Sequence, residues 1–414
     1  MCVPFWVRLL ALYFNYSGGS CLIHVDTEGC AELISTAGSA LGITELLTDE
    51  YCQELYRESD GHPYVIKILL GDIARRRQRT KVKRIIAGQD TLLTALFERT
   101  YSMLSPASQR VFLTLCKWRS TIPEIALEAV LLRPQNERIN FRDAVHEVVQ
   151  SSFVEEITVD NDDIVLDVPL AAWLFGKRKL EVSPWKAAVV ADGELLRLLG
   201  VGRKTDAKHG VNARLERLFK TAAAGIISQD HEIEELKPVL EFIARSYPLG
   251  WLLLADLHNE EGPAHDLEAC KACVQSYLEN PKGDVEVSRV WKRLADFCRD
   301  TQDVLGEIHA LAAMCKAHSV PTHVVSNAAN RINQTLREGN ANVPAEELRV
   351  LLTEVIGEME RRSPELTSDD CSRLSWLYLH VQDQENAIRV AERGLELDSA
   401  NPHCAGLVEK LSAQ

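Results

Sequence analysis

The segment ESDGHPYVIKILLGDIARRR, Glu58 to Arg77, sets the reading of the chain around it. Gly61 stops one helix, and Pro63 fits the first turn of the next. Val65, Ile66, Ile68, Leu69, Leu70 and Ile73 then make that second helix apolar nearly all round, so it should be well buried. Upstream, Thr48 or Asp49 is an N-cap for EYCQELYRES, which places Tyr51, Leu55 and Tyr56 on one face. Downstream comes a cationic run: Arg75, Arg76, Arg77, Arg79, Lys81, Lys83 and Arg84. Positive charge at a helix C-terminus suits the macrodipole.

Beyond that run, Leu96, Tyr101 and Leu104 lead to Ser105-Pro106, a second helix start with proline in its first turn. Val111, Phe112, Leu115 and Trp118 give this helix its core face. Ile122-Pro123 opens a third helix carrying Ile125, Ala126, Ala129 and Val130, and Phe141 to Gln150 forms a fourth. SFVEEITV and IVLDV then alternate apolar and polar residues about Asp160-Asn161-Asp162-Asp163, which is a hairpin with a polar turn. Three helices and a two-stranded wing spell a winged-helix domain.

The C-terminal zone repeats. WLLLADLH (from Trp251), WKRLADFC (from Trp291) and RLSWLYLH (from Arg373) each carry a leucine before a small residue: Leu254-Ala255, Leu294-Ala295 and Leu374-Ser375. Between them a second helix returns, as in LEACKACVQSYL and ENAIRVAERGLELD. Helix pairs at this period predict an α-solenoid. A missing or degenerate unit is expected near Val320 to Arg362, with a loop around Gly339 to Pro344. The expected fold class is mostly α. The expected domains are an unassigned apolar segment at 1–42, a helical lid-like module at 43–100, a winged helix at 101–183 and a solenoid of helix pairs at 184–414.

The whole composition agrees. The chain has 414 residues, 46% of them hydrophobic and 26% charged, as in ordinary globular proteins. Its net charge of −14 argues against nucleic acid as the partner of the whole chain. The 11 cysteines are odd in number and scattered, which reads as free thiols in a reducing cytoplasm. Val3 to Tyr16 is apolar, but Arg8 interrupts it and it is too short to span a bilayer. No membrane role is expected.

The last repeat resembles the tetratricopeptide repeat through Leu374, Ser375 and Tyr378 in its first helix and Ala387, Ala391 and Gly394 in its second. Ser399 stands where that family usually has proline. Residues 43 to about 180 resemble the lid and winged helix of the signal-transduction NTPases with numerous domains, the STAND class. The resemblance rests on SDGHPYVIKILLG, on the Tyr101–Leu104 helix and on a winged helix ending in VLDVPLAAWLF. It implies a nucleotide-facing corner at Gly61, His62 and Pro63, with Pro63 against an adenine ring. It also aligns Val165, Leu166 and Asp167 with the family's Met-His-Asp motif, whose histidine contacts the β-phosphate of ADP. The histidine is replaced, so tight locking of ADP is not implied. No Gly-x-x-x-x-Gly-Lys-[Ser/Thr] occurs in the chain. ADP or ATP is therefore expected only with a complete nucleotide-binding domain, and none is expected to be bound by this chain alone. The chain is expected to correspond to the part of such a protein from the lid onward, as a truncated gene product, a degenerate homologue or a partner subunit, and not itself to be an enzyme.

Other patterns carry less. Cys270 and Cys273 lie one helical turn apart and read as core packing, since no second ligand pair has zinc spacing. Asp160 to Asp163 lacks the glycine and distal glutamate of an EF-hand loop. His24 and Asp26 are isolated. The presumed recognition helix offers Arg142 beside Asp143 and Glu147, which is poor for phosphate contact. The reading is a cytoplasmic regulatory protein whose helical repeats take a protein or peptide ligand on their concave face, with a homo-oligomer or a partner ATPase subunit as further partners. The alternatives are a winged-helix DNA-binding regulator that uses the basic run, and a repeat scaffold with no switch.

Overall fold

In a computed structural model, the described residues are 26–59, 61–79, 89–118, 120–159, 163–200, 210–282, 285–338 and 344–412. The segment Val3–Tyr16, His24, Lys81, Lys83, Arg84 and the tip of the hairpin at 160–162 lie outside them. Among the described residues the chain forms two compact units, one running to Arg197 and the other taking up from Asn212.

In the first unit, Asp26 caps α1 (Thr27–Ala40), its carboxylate accepting from the Gly29 N–H at 2.9 Å. A 3-10 turn at Thr44–Leu46 leads to α2 (Asp49–Ser59) and α3 (Pro63–Arg76). These helices close on one core: Cys30 and Ile34 from α1, Tyr51 and Leu55 from α2, and Val65, Ile66, Leu69, Leu70 and Ile73 from α3. The expected apolar helix is thus buried along most of its length, as its composition requires.

After α4 (Gln89–Met103), Ser105 caps α5 (Pro106–Lys117) with its hydroxyl accepting from the Ser108 N–H. The chain continues through β1 (Ile122–Pro123), α6 (Glu124–Leu131), α7 (Phe141–Gln150), β2 (Glu155–Thr158) and β3 (Ile164–Asp167). The sheet is antiparallel in the order β1-β3-β2, with Ile122 opposite Leu166 and Glu156 opposite Leu166 on the other side. This is a winged helix, with a correction. Ile122-Pro123 does not merely open a helix: it is a third strand. Two residues are too few for an alternation pattern, so only the pairing with β3 reveals it.

Two more helices, α8 (Leu170–Glu181) and α9 (Lys186–Arg197), pack on α5. The solenoid expected from 184 onward starts later in the chain, because α9 belongs to the first unit. Its Val189, Leu195 and Leu196 are buried there together with a wholly buried Asp192.

The second unit comprises α10 (Gly210–Ile227), α11 (Ile233–Ser246), α12 (Leu249–Asn259), α13 (Leu267–Glu279), α14 (Val287–Asp300), α15 (Val304–Lys316), α16 (Thr322–Arg337), α17 (Ala345–Arg361), α18 (Ser368–His380), α19 (Gln384–Leu397) and α20 (Pro402–Ser412). Helices α12–α13, α14–α15 and α18–α19 are the tightest pairs. The small residues do what the repeat requires. Ala255 and Ser375 are fully buried, and the Ser375 hydroxyl donates to the Ala387 carbonyl at 2.8 Å across the α18–α19 crossing. Two inter-helix corners repeat eighty residues apart. Gln302 and Gln382 adopt φ of 58° and 64°, and the next residues, Asp303 and Asp383, cap α15 and α19.

The unit expected to be missing or degenerate near Val320 to Arg362 is present as a helix pair, α16 and α17. Its sequence hides the pattern because α16 buries polar residues. Ser326, Asn333 and Thr335 are all inside, and the Thr335 hydroxyl and the Arg331 guanidinium both donate to the buried Glu307 of α15. No helix among the described residues is long and apolar enough to cross a membrane.

Candidate functional site

Gly61, His62 and Pro63 make the α2–α3 corner. Gly61 takes φ +67°, a left-handed conformation that glycine adopts without strain. Its N–H reaches the Tyr56 carbonyl at 3.1 Å, and the His62 N–H reaches the Ser59 carbonyl at 3.0 Å. His62 caps α3, its Nδ1 accepting from the Val65 N–H at 3.4 Å, and Pro63 fills the first turn. Helix ends need such partners for their orphan amides. The corner is therefore complete in itself, with His62 and Pro63 half-buried.

From this corner α3 runs onto the winged helix. The Tyr64 hydroxyl donates to the Ser152 carbonyl at 2.8 Å, and the Ser152 hydroxyl donates back to the Lys67 carbonyl at 3.2 Å. Lys67 pairs with Glu155 at 3.3 Å. One turn on, Gly71 lies so close to α7 that a Cβ there would overlap the Gln150 carbonyl oxygen. Aromatic rings seal the contact: Phe97 sits 5.5 Å from Tyr64, 5.5 Å from Phe153 and 5.2 Å from Phe175.

Asp167 ends β3, half-buried, directly across the sheet from Glu155. The corner and Asp167 are thus joined through two residues, Lys67 of α3 and Glu155 of β2. Leu166, aligned by resemblance with a phosphate-contacting histidine, is fully buried between strands and has no polar side-chain atom.

The arginines in the last turn of α3 and just beyond it are structural latches. Arg77 donates to the Gly42 carbonyl at 2.7 Å, and Arg79 donates to the Leu46 carbonyl at 2.8 Å while lying over the Tyr51 ring. Arg76 pairs with Asp72 at 2.9 Å, and Arg99 of α4 pairs with the same carboxylate at 3.0 Å. The run fastens the end of α3 to the loop after α1. Arg75 sits near Glu147 of α7, whose carboxylate accepts from the Ser105 N–H and the Ser108 hydroxyl. Burial pushes the Glu147 carboxyl up, but those hydrogen bonds and the Arg75 guanidinium outweigh it and hold it below its ordinary value.

Sequence reasoning missed a buried ionic cluster. Asp192 of α9 is held by Arg110 of α5, by Arg133 at 2.5 Å and by the Asn136 amide at 3.1 Å. All three charged groups are at least nine-tenths buried. The one available signal was an aspartate in the apolar stripe of α9. Cys270 and Cys273 are buried in α13, where burial pushes their thiols to about 11 and about 12.

No protein-family model matches the chain, and no curated protein matches it. Among solved structures it is similar to a STAND protein with a tetratricopeptide repeat sensor from Pyrococcus horikoshii, with 14% sequence identity and a TM-score of 0.30. That match covers 94% of this chain and 57% of the archaeal one.

Proposed function

We propose that this chain is a regulatory module that binds a protein or peptide on its helical repeats and passes the event through the winged helix to the α2–α3 corner. One observation carries the reading. Helix α3 is fastened to the winged helix at Tyr64, Lys67 and Gly71, over two successive turns. A displacement of the wing is thereby carried into the corner at Gly61–Pro63. In this reading ADP or ATP meets Gly61, His62, Pro63 and Asp167 only when a nucleotide-binding domain faces them. The chain by itself hydrolyses no ATP.

Nucleic acid has no place in the reading. Arg76, Arg77 and Arg79 already serve the fold, and the exposed face of α7 offers Arg142 beside Asp143.

The test is affinity capture from the native cell on the immobilised chain, followed by hydrogen exchange on the complex. The reading expects a retained protein and altered exchange in α3 and β2. A retained protein with unaltered exchange in the first unit would leave a scaffold without a switch. Capture of nothing would end the proposal.

A further inference from the structure

The first helices α16, α18 and α20 of the second unit lie side by side, and one polar cluster crosses them. The Arg337 guanidinium of α16 stacks over the Trp376 ring of α18 at 4.2 Å, and the Lys410 ammonium of α20 lies over the same ring at 5.6 Å. Both cations are exposed, and neither has a carboxylate partner among the described residues. Two positive charges gathered on one indole repel each other, and only a weak cation–π attraction offsets this. An anion paired with either cation would offset the repulsion.

The surroundings point the same way. One turn before Arg337, Asn333 is 3% exposed, and its amide nitrogen donates to the Arg373 carbonyl at 2.9 Å. A carbonyl only accepts, so the orientation of that amide is fixed. The Asn333 Oδ1 is left buried with no donor. One turn after Trp376, the His380 Nε2 is also buried without a partner. Arg373 is already engaged by Ser326 and Asp370 and is not free to complete the cluster. Buried polar atoms are usually satisfied, so this cluster is one that the chain does not close by itself.

We infer that Arg337, Trp376 and Lys410 form a subsite for an acidic peptide segment, whose Glu or Asp carboxylates pair with the two exposed cations. The inference rests on the reading of the repeats as a protein-binding surface and names the chemistry of what they bind. A peptide supplies the carboxylates that the two exposed cations lack. A nucleobase fits less well, because both cations already lie over the ring on which it would stack.

The test is fluorescence anisotropy of the full chain with a short fluorescein-labelled Glu-rich peptide, its Gln-rich counterpart and a labelled single-stranded oligonucleotide. The Glu-rich peptide is expected to bind, to weaken as salt rises, and to lose about tenfold in affinity in the Arg337→Ala/Lys410→Ala double variant. Both positions are exposed, so folding is kept, and Arg349→Ala, which removes one exposed positive charge from α17, serves as a surface-charge control with unchanged binding. Equal binding of the Gln-rich peptide, unchanged binding by the double variant, tighter binding of the oligonucleotide, or no binding of the Glu-rich peptide would each overturn the subsite. Retention of a native partner by the double variant as well as by the wild type would overturn the subsite while leaving the broader protein-binding reading intact.

Discussion

The carboxylate of Asp192, wholly buried in α9, accepts a hydrogen bond from Arg133 at 2.5 Å. With Arg110 it forms an Arg–Asp–Arg cluster that fixes α9 to the winged helix. Removing the anion leaves two buried guanidinium groups facing each other. Asp192→Ala should cost the first unit about 3–5 kcal/mol. Urea unfolding followed by a first-unit probe would show it, and a loss within experimental error would mean the cluster is solvated.

Gly71 has the opposite kind of constraint. Alanine is the better helix former by about 1 kcal/mol. At this position its Cβ would overlap the backbone carbonyl of Gln150, which cannot rotate aside. Gly71→Ala should therefore destabilise, by about 1–3 kcal/mol, and speed amide exchange in α3. Stabilisation by this change would show that α3 is not seated on α7.

Two further glycines separate backbone conformation from packing. Gly61 has φ +67°, so Gly61→Ala should cost about 1–2 kcal/mol. Gly357 lies inside α17 with nothing within 4 Å of a Cβ, so Gly357→Ala should stabilise by about 0.5–1 kcal/mol. Thermal melts of the two variants should move in opposite directions.

Glu147 sets a pH dependence. Its folded-state pKa is held below the ordinary 4.5 by the Ser108 and Ser105 hydrogen bonds and by Arg75, against the upward push of burial. A depressed carboxylate contributes stability that is complete above its unfolded pKa and is lost as pH falls through the folded one. Wild-type stability should thus fall below about pH 4.5 more steeply than that of Glu147→Gln. Parallel acid titrations of the two proteins would refute this.

The buried cysteines should be inert. Burial raises Cys270 to about 11, and Cys273 and Cys315 to about 12. At pH 8 only about one Cys270 in a thousand is then thiolate. Thiol reagents should modify these three slowly in the native protein and quickly once it unfolds. Fast native labelling would mean that α13 and α15 open readily.

Much of the architecture was legible in the residues. Gly61 and Pro63 marked the corner, the apolar run from Val65 to Ile73 marked the buried helix, and Leu254-Ala255, Leu294-Ala295 and Leu374-Ser375 marked the repeat. Each signal is local, because a turn conformation or a helical stripe is set by residues within a few positions. The β1 strand, the attachment of α9 and the α16–α17 pair were not legible. Two strand residues carry no period, and buried Asp192, Asn333 and Thr335 look like surface residues until their partners are placed.

The sequence by itself determined a mostly helical chain with a winged helix and repeating helix pairs, because hydrophobic period and capping chemistry act over a few residues. Only the tertiary structure decided where the charges go. Arg77 finds a carbonyl 35 residues away and Arg110 finds an aspartate 82 residues away, while Arg337 and Lys410 meet on one indole. A guanidinium in a basic run reads alike whether it latches a loop, neutralises a buried anion or waits for a ligand. Which of these it does depends on what the fold brings within about 4 Å of it, because the attraction between charges falls with distance and is strongest where water is excluded.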